Sequence, residues 1–317
     1  MRLPSHANPQ HDAPAASPRL GSGPLWLAVA LVGLGLALGL GALLQRLARE
    51  SGPQLAPIPS LAPATLPDDA VHVGGSGSCI ALVRRAVAGC RQQGQRVDVV
   101  IHEGIGSGGG LAALADGALA VALVSRPLKP EELKQELRVM PYARSPVALA
   151  LQPDNGVADL SLAQLADLLA GKVARWPDGT PTQWLLRERG DSSHAVLRAA
   201  WPAFAAWEQT ARQSSQAQVL FHDRTMHATL QSTPGTFGWV DAAAVRAEGV
   251  PVALPRIDGA TADSAGLAAG RWPWAKDQSA VTRARDHAKA LPLLNCLRSP
   301  AGRAALLAAG ALPTPTE

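Results

Sequence analysis

The chain is poor in cysteine, poor in lysine and without any run of Lys or Arg longer than two residues, as at Arg84-Arg85. Three cysteines in 317 residues, Cys79, Cys90 and Cys296, give no C-x-x-C pair, and that argues against a zinc site. The net charge of +4 is spread along the chain. Nucleic-acid binders concentrate a basic face with interleaved aromatics, so nucleic acid is set aside as a partner. His72, His102, His194, His222, His227 and His287 lack the H-E-x-x-H spacing of a metal site, and no G-x-S-x-G elbow surrounds Ser107 or Ser192. The tripeptide His222-Asp223-Arg224 reads as a solvated helix start or loop rather than a catalytic group. Nothing asks for an enzyme, a cofactor or a metal. Charged residues make up only 17% and hydrophobic residues 47%. That is too little charge for a disordered chain and enough apolar material for a real core.

The same low charge is extreme between Pro24 and Leu44, which contain no charged residue and are almost wholly Leu, Ala, Val and Gly. At ~1.5 Å per residue such a helix spans roughly 30 Å, a hydrocarbon core. Gln45-Arg46-Leu47-Ala48-Arg49-Glu50 follows and makes a poor signal-peptidase site. The expectation is a single uncleaved transmembrane anchor at 24–44. Arg2 and Arg19 before it balance Arg46 and Arg49 after it, so charge leaves the orientation open. Residues 1–23 read as a tail without fixed structure. Residues 45–68, with repeated prolines from Ser51 onward, read as a semi-stiff linker.

From about Asp69 the pattern becomes strand, Gly-rich turn, helix, repeated. Val71–Val73 leads to GGSGS (74–78) and a helix through about Gln93; Val97–Ile101 leads to GIGSGGG (104–110) and a helix from about Leu111 to Ala115. Leu119–Val124 is a third strand, ending at Ser125-Arg126-Pro127. Alternating βα units imply an α/β fold with a mostly parallel sheet, its ligand at the carboxyl ends of the strands. Val147–Leu151 starts a further strand. Ser161 with Gln164 opens a helix as a capping box, another helix follows GDSSH (190–194), and Ser299-Pro300 opens the last, which Gly310 stops. Cys79 and Cys90 lie about 16 Å apart on one helix and cannot bridge each other. Cys90 and Cys296 can pair only if their helices pack together; buried free thiols are the commoner state of such residues.

Three consecutive strand ends carry Ser with Gly or Arg: Ser76 and Ser78, then Ser107, then Ser125 with Arg126. Two of these turns open helices, whose first N–H groups lack partners and point outward at the positive end of the dipole. Small residues let an anion approach, and hydroxyls add donors. Singly, each turn is explained by a tight βα connection; three in register point to an oxyanion. Gly104-x-Gly106-x-x-Gly109 also matches the dinucleotide fingerprint, the rival enzyme reading. Against it, the next strand ends in Ser125-Arg126 where that fingerprint expects an acidic ribose ligand.

These residues resemble the periplasmic phosphate-binding proteins of ABC transporters. The likeness runs from Val71 to Pro313. It passes through GSGSC (75–79), GIGSGGG (104–110), SRPLKPEEL (125–133), LSLAQLADLLAGKVARWPDG (160–179), RERGDSS (187–193), STPGTFGWV (232–240), LAAGRWPWAK (267–276) and SPAGRAALLAAGALP (299–313). The resemblance implies a two-lobed α/β fold clamping its ligand between the lobes. Lobe one would be 69–145 and 239–317, and lobe two 146–238. It implies a monomer outside the cytoplasm that hands an inorganic oxyanion, phosphate or a relative, to an ABC permease. Carried over position by position, the binding residues are Cys79 with Ser78 beside it, Ser107, Ser125, Arg187, Asp191, Ser192 and Ser193; the strand-end reading adds Ser76. Two positions depart from the pattern: Ser125 stands where an aspartate accepts the ligand's proton, and Asp191 where the first serine of an S-G-T turn belongs. Asp191 is then either a helix N-cap or the acceptor that replaces that aspartate. A second class of function stays open, an anchored sensor or structural module that has lost phosphate binding.

Overall fold

The computed structural model describes residues 70–315 apart from 135 and 216. The proposed tail, anchor and linker lie outside these residues; among the described ones, no helix is long and apolar enough to cross a membrane. The chain opens with the expected βα alternation. Strand β1 (Val71–Gly75) leads to α1 (Gly77–Gln92), β2 (Val99–Gly104) to α2 (Gly106–Ala115), and β3 (Val121–Val124) follows. Strands β1, β2 and β3 are parallel. Glycines make the tight turns possible. A Cβ on Gly75, at φ +133°, would meet the Leu123 carbonyl oxygen at 2.2 Å, and one on Gly110 would meet the Gly75 Cα at 2.7 Å. The second half of GIGSGGG thus packs against the first βα turn.

Strand β4 (Leu137–Leu151) is far longer than the five residues the sequence suggested. Pro141 and Pro146 hide it, because proline cannot donate to a ladder. Pro141 sits opposite Ser279, where the register of the partner strand shifts. This one strand serves two halves. Its first part pairs antiparallel with β10 (Ala275–Arg283), and residues 147–151 pair with β8 (Thr236–Asp241). Between β4 and β8 the chain makes β5 (Asp159–Leu160), α3 (Leu162–Leu169), β6 (Gln183–Arg187), α4 (Ser192–Ala200), α5 (Phe204–Gln213), β7 (Ala217–Leu220) and α6 (Asp223–Ser232). After β8 come α7 (Ala242–Glu248), β9 (Arg256–Ile257), α8 (Ser264–Ala268), β10, α9 (His287–Arg298), α10 (Pro300–Ala308) and β11 (Leu312–Pro313). The main sheet runs β2-β1-β3-β10-β4-β8-β6-β7, with β11 added on β4, and β5 pairs β9 separately.

Two large hydrophobic cores flank β4, the mixed two-lobed α/β architecture. Leu82, Val121, Leu123, Tyr142 and Leu294 belong to the first. Leu149, Leu165, Leu186, Phe204 and Trp239 belong to the second. Ile257, Leu267, Trp272 and Trp274, from the segment that the resemblance assigns to lobe one, also pack into the second core. The predicted caps form as written. Ser161 and Gln164 make a reciprocal capping box, and Ser299 caps α10 ahead of Pro300.

Helices α1 and α9 do pack together, and Cys90 and Cys296 form a disulfide with Cα atoms 6.0 Å apart. The free-thiol expectation is corrected for this pair and holds for Cys79, a buried free cysteine. Sequence spacing alone carries no information about which helices touch. The bond closes 206 residues of separation, so its loss should cost about 2–4 kcal/mol of stability. Urea unfolding of the oxidised protein and of a Cys90→Ser, Cys296→Ser variant measures this directly. Equal midpoints would show that the crosslink constrains nothing.

Candidate functional site

The serines predicted from strand ends do meet. Ser76 is the N-cap residue of α1, but its side chain makes no capping bond. Its hydroxyl instead lies 3.1 Å from that of Ser78 and 2.8 Å from that of Ser125. The Ser125 backbone N–H donates to the Ser107 hydroxyl at 3.2 Å. Ser192, the first residue of α4 in the second half, sits 2.9 Å from the Ser125 hydroxyl. Donors from both lobes therefore close on one point. Ser125 links β3, α2 and α4, because each of those elements ends or begins there.

Lys276 supplies the group that the sequence reading missed. Its side chain is buried, and its ammonium donates to Ser78 at 3.1 Å and Ser193 at 3.2 Å and pairs with Asp241 at 3.2 Å. Burial works to lower its pKa, but Asp241, Asp191 and Asp223 overcome this and raise it, so the lysine stays charged. Asp241 is held in turn by Ser145 and Gln278 and caps α7 through the Ala244 N–H. Lys276 is the second residue of β10, just after Trp272 and Trp274, and its rarity in the chain is the one sequence signal it carries.

Cys79 is fully buried in the first core, and burial pushes its thiol up to about 12 despite hydrogen bonding to Tyr142 and Ser76 and the nearby Lys276 charge. It stands behind the serines as an inert thiol. Arg126 is also turned away, making paired bonds of 2.8 and 2.7 Å to Glu132.

Arg187 ends β6 and is buried. Asp191 and Asp223 each lie 3.3 Å from its guanidinium, and Glu188 lies 3.7 Å away. Burial opposes its charge, yet Asp223, Asp191 and Glu188 together raise its pKa. Its Nη1 is buried with no hydrogen-bond partner among the described residues. Asp191 is an N-cap: its Oδ1 accepts from Ser193 N and His194 N at 2.9 and 3.0 Å, while Oδ2 faces Arg187. Both oxygens are thus engaged within its own lobe, and they orient the helix that presents Ser192 and Ser193.

Behind α4, Glu208 gathers His194 at 2.9 Å, Arg198 at 2.7 Å and Arg212 at 2.6 Å. Arg212 also donates to the Arg187 carbonyl, so this cluster braces the end of β6. Burial alone would raise the Glu208 pKa, but bonds from His194, Arg212 and Arg198 pull it from 4.5 to about 2. A carboxylate depressed on folding stabilises the protein above its unfolded pKa, and that stability is lost as pH falls through the folded value. Stability should therefore hold down to about pH 4.5 and then fall by on the order of 3 kcal/mol from this group toward pH ~2. Glu208→Gln should lack that component and be weaker at neutral pH. Parallel urea-midpoint profiles for the two proteins would disprove the assignment.

Serine hydroxyls, helix N-termini and two buried cations thus meet between two α/β lobes. The chain belongs to the PBP superfamily, whose domain model matches residues 60–286. The phosphate-binding protein PstS of Bacillus subtilis is 24% identical over 231 residues, which is 72% of this chain and 74% of that protein. The phosphate-binding protein PstS 2 of Streptococcus pneumoniae is 31% identical over 106 residues; that match spans 33% of this chain and 36% of the relative. A Clostridium perfringens protein solved with bound phosphate superposes at TM-score 0.64 and 20% identity, covering 78% of this chain and all 100% of that one. A phosphate-binding protein from Stenotrophomonas maltophilia gives 0.59 at 15% identity, covering 78% and 91%. Reduced OxyR from N. meningitidis gives 0.53 at 11%, covering 78% and 99%. At these identities the superpositions show the fold alone.

Proposed function

We propose that this chain is an extracytoplasmic solute-binding protein that captures a tetrahedral oxyanion, phosphate or a close analogue, for an ABC-type permease. The observation that carries the reading is the convergence of Ser76, Ser78, Ser107, Ser125 and Ser192 from both lobes, linked through Ser78 and Ser193 to Lys276. Hydroxyls and helix N-termini hold an oxyanion with dipoles, and Arg187 adds a cation with one buried nitrogen that has no partner among the described residues. The phosphate-binding relatives support the same ligand class. A disulfide suits an oxidising compartment, and the apolar stretch 24–44 supplies the membrane anchor. The reaction class is binding and release, without chemistry on the ligand.

Titration calorimetry with phosphate, arsenate and sulfate tests the reading. Phosphate at a hundredfold excess over its dissociation constant should add about 2.7 kcal/mol of stability. Arg187→Ala should abolish that rise, because a buried oxyanion loses its charged partner. Equal responses of parent and Arg187→Ala would move the site elsewhere. A second reading, an anchored module that no longer binds phosphate, is favoured by the carboxylates already paired with both cations. Silence toward every oxyanion would select it.

The anchor has its own test. Protease added to spheroplasts should degrade the folded domain while residues 1–23 stay protected inside. A protected domain would overturn both the topology and the transport role.

A further inference from the structure

The tripeptide His222-Asp223-Arg224, which looks like an ordinary helix start, lies against the opposite lobe. Asp223 opens α6 on the second lobe, beside β7. One of its oxygens is 3.3 Å from the Arg187 guanidinium. The other is pressed so closely on Gly77 that a Cβ there would stand 2.1 Å from it. Gly77 is the first residue of α1 in the first lobe, a helix of 16 residues with no acidic residue in its first turn and no side-chain cap. The carboxylate thus sits where a helix dipole and a buried cation both favour negative charge. Arg187 Nη1, buried and without a hydrogen-bond partner among the described residues, is the independent sign that this cation is built for a further ligand. Next to it, Arg224 reaches Glu103 at the end of β2 at 2.8 Å. That pair is exposed and contributes little, but it crosses between the lobes in the same direction.

We propose that Asp223 is an internal stand-in for the anion. Its carboxylate draws the second lobe onto the N-terminus of α1, and an incoming oxyanion competes with it for the Arg187 guanidinium. Glycine at position 77 is what admits the carboxylate, since any side chain there would collide with it. The competitive part rests on the oxyanion reading above; the closing part does not. Asp223 then sets the affinity of the site. An anion meets Asp191, Asp223 and Glu188 around the one guanidinium, and it gains only the difference between its own contacts and those Asp223 gives up.

Two measurements on the folded protein test this. Fluorescence energy transfer between dyes at the exposed Gln93 and Gln209, one on each lobe, reports closure without ligand. The parent should be closed, and Asp223→Ala and Asp223→Asn should shift toward an open state. Phosphate titration should give roughly tenfold tighter binding for Asp223→Asn, which keeps the shape and removes the like charge. Phosphate affinity that is unchanged or weaker in Asp223→Asn overturns the proposal even where the parent binds phosphate well. If no variant binds any oxyanion, the transport reading fails instead. Closure then decides alone: opening on loss of Asp223 sustains the internal contact, and an unchanged dye distance overturns it.

Discussion

A buried ammonium has to be satisfied on every side, and in this protein that requirement joins the two lobes. Lys276 has three N–H donors and makes three contacts, to Asp241, Ser78 and Ser193. Ser78 comes from α1 of the first lobe and Ser193 from α4 of the second. Asp241 ends β8, where the chain passes from the second lobe toward α7. Its own oxygens are held by Ser145 of β4 and Gln278 of β10. A buried ion pair of this kind adds little net stability over apolar packing, but losing one member leaves a charge stranded. The pair therefore fixes where β4, β8, β10 and α7 meet.

Much of this was legible because it is local. Glycine and serine at three strand ends follow from turn sterics and helix N-terminal donors, and those serines do converge. Ser161, Gln164 and Ser299 write their caps into four or five consecutive residues. What could not be read depends on contacts distant in sequence. The Cys90–Cys296 bond needs α1 and α9 to pack, and no spacing rule announces that. Two prolines normally exclude a strand; in β4 a bulge that leaves Tyr142 unpaired beside Pro141, and the end of β10 opposite Pro146, accommodate them. Lys276 was passed over because one lysine in a strand carries no pattern until Ser78 and Ser193 surround it.

Asp191 shows how two local readings are resolved by the surroundings. A carboxylate at this position can cap a helix or accept a ligand's proton. In the fold, both its oxygens are taken by Ser193 N, His194 N and Arg187. Burial alone would raise its pKa, but the charges of His194, Arg187 and Lys276 hold it below the ordinary range. A carboxylate held ionised and fully bonded positions its neighbours. It caps α4, which presents Ser192 and Ser193, and it accepts from the Arg187 Nε.

The charge balance of the cleft then limits how it can work. Two cations, Arg187 and Lys276, face Asp191, Asp223 and Asp241, so the side chains leave no net positive charge to attract an anion. The neutralisation is internal and short-ranged, with these pairs at 3.2–3.3 Å and Glu188 also 3.7 Å from Arg187. On the oxyanion reading proposed above, attraction comes instead from oriented dipoles, the N-terminal N–H groups of α1, α2 and α4 and the serine hydroxyls. Dipoles act over a shorter range than charges, and they select by the direction of hydrogen bonds more than by total charge. The same two-lobed fold is found in phosphate-binding proteins and in OxyR, so the fold leaves the ligand unspecified and the site decides it. At this site the cations are already occupied by carboxylates of the chain itself, and the donors that remain are serine hydroxyls and helix N–H groups.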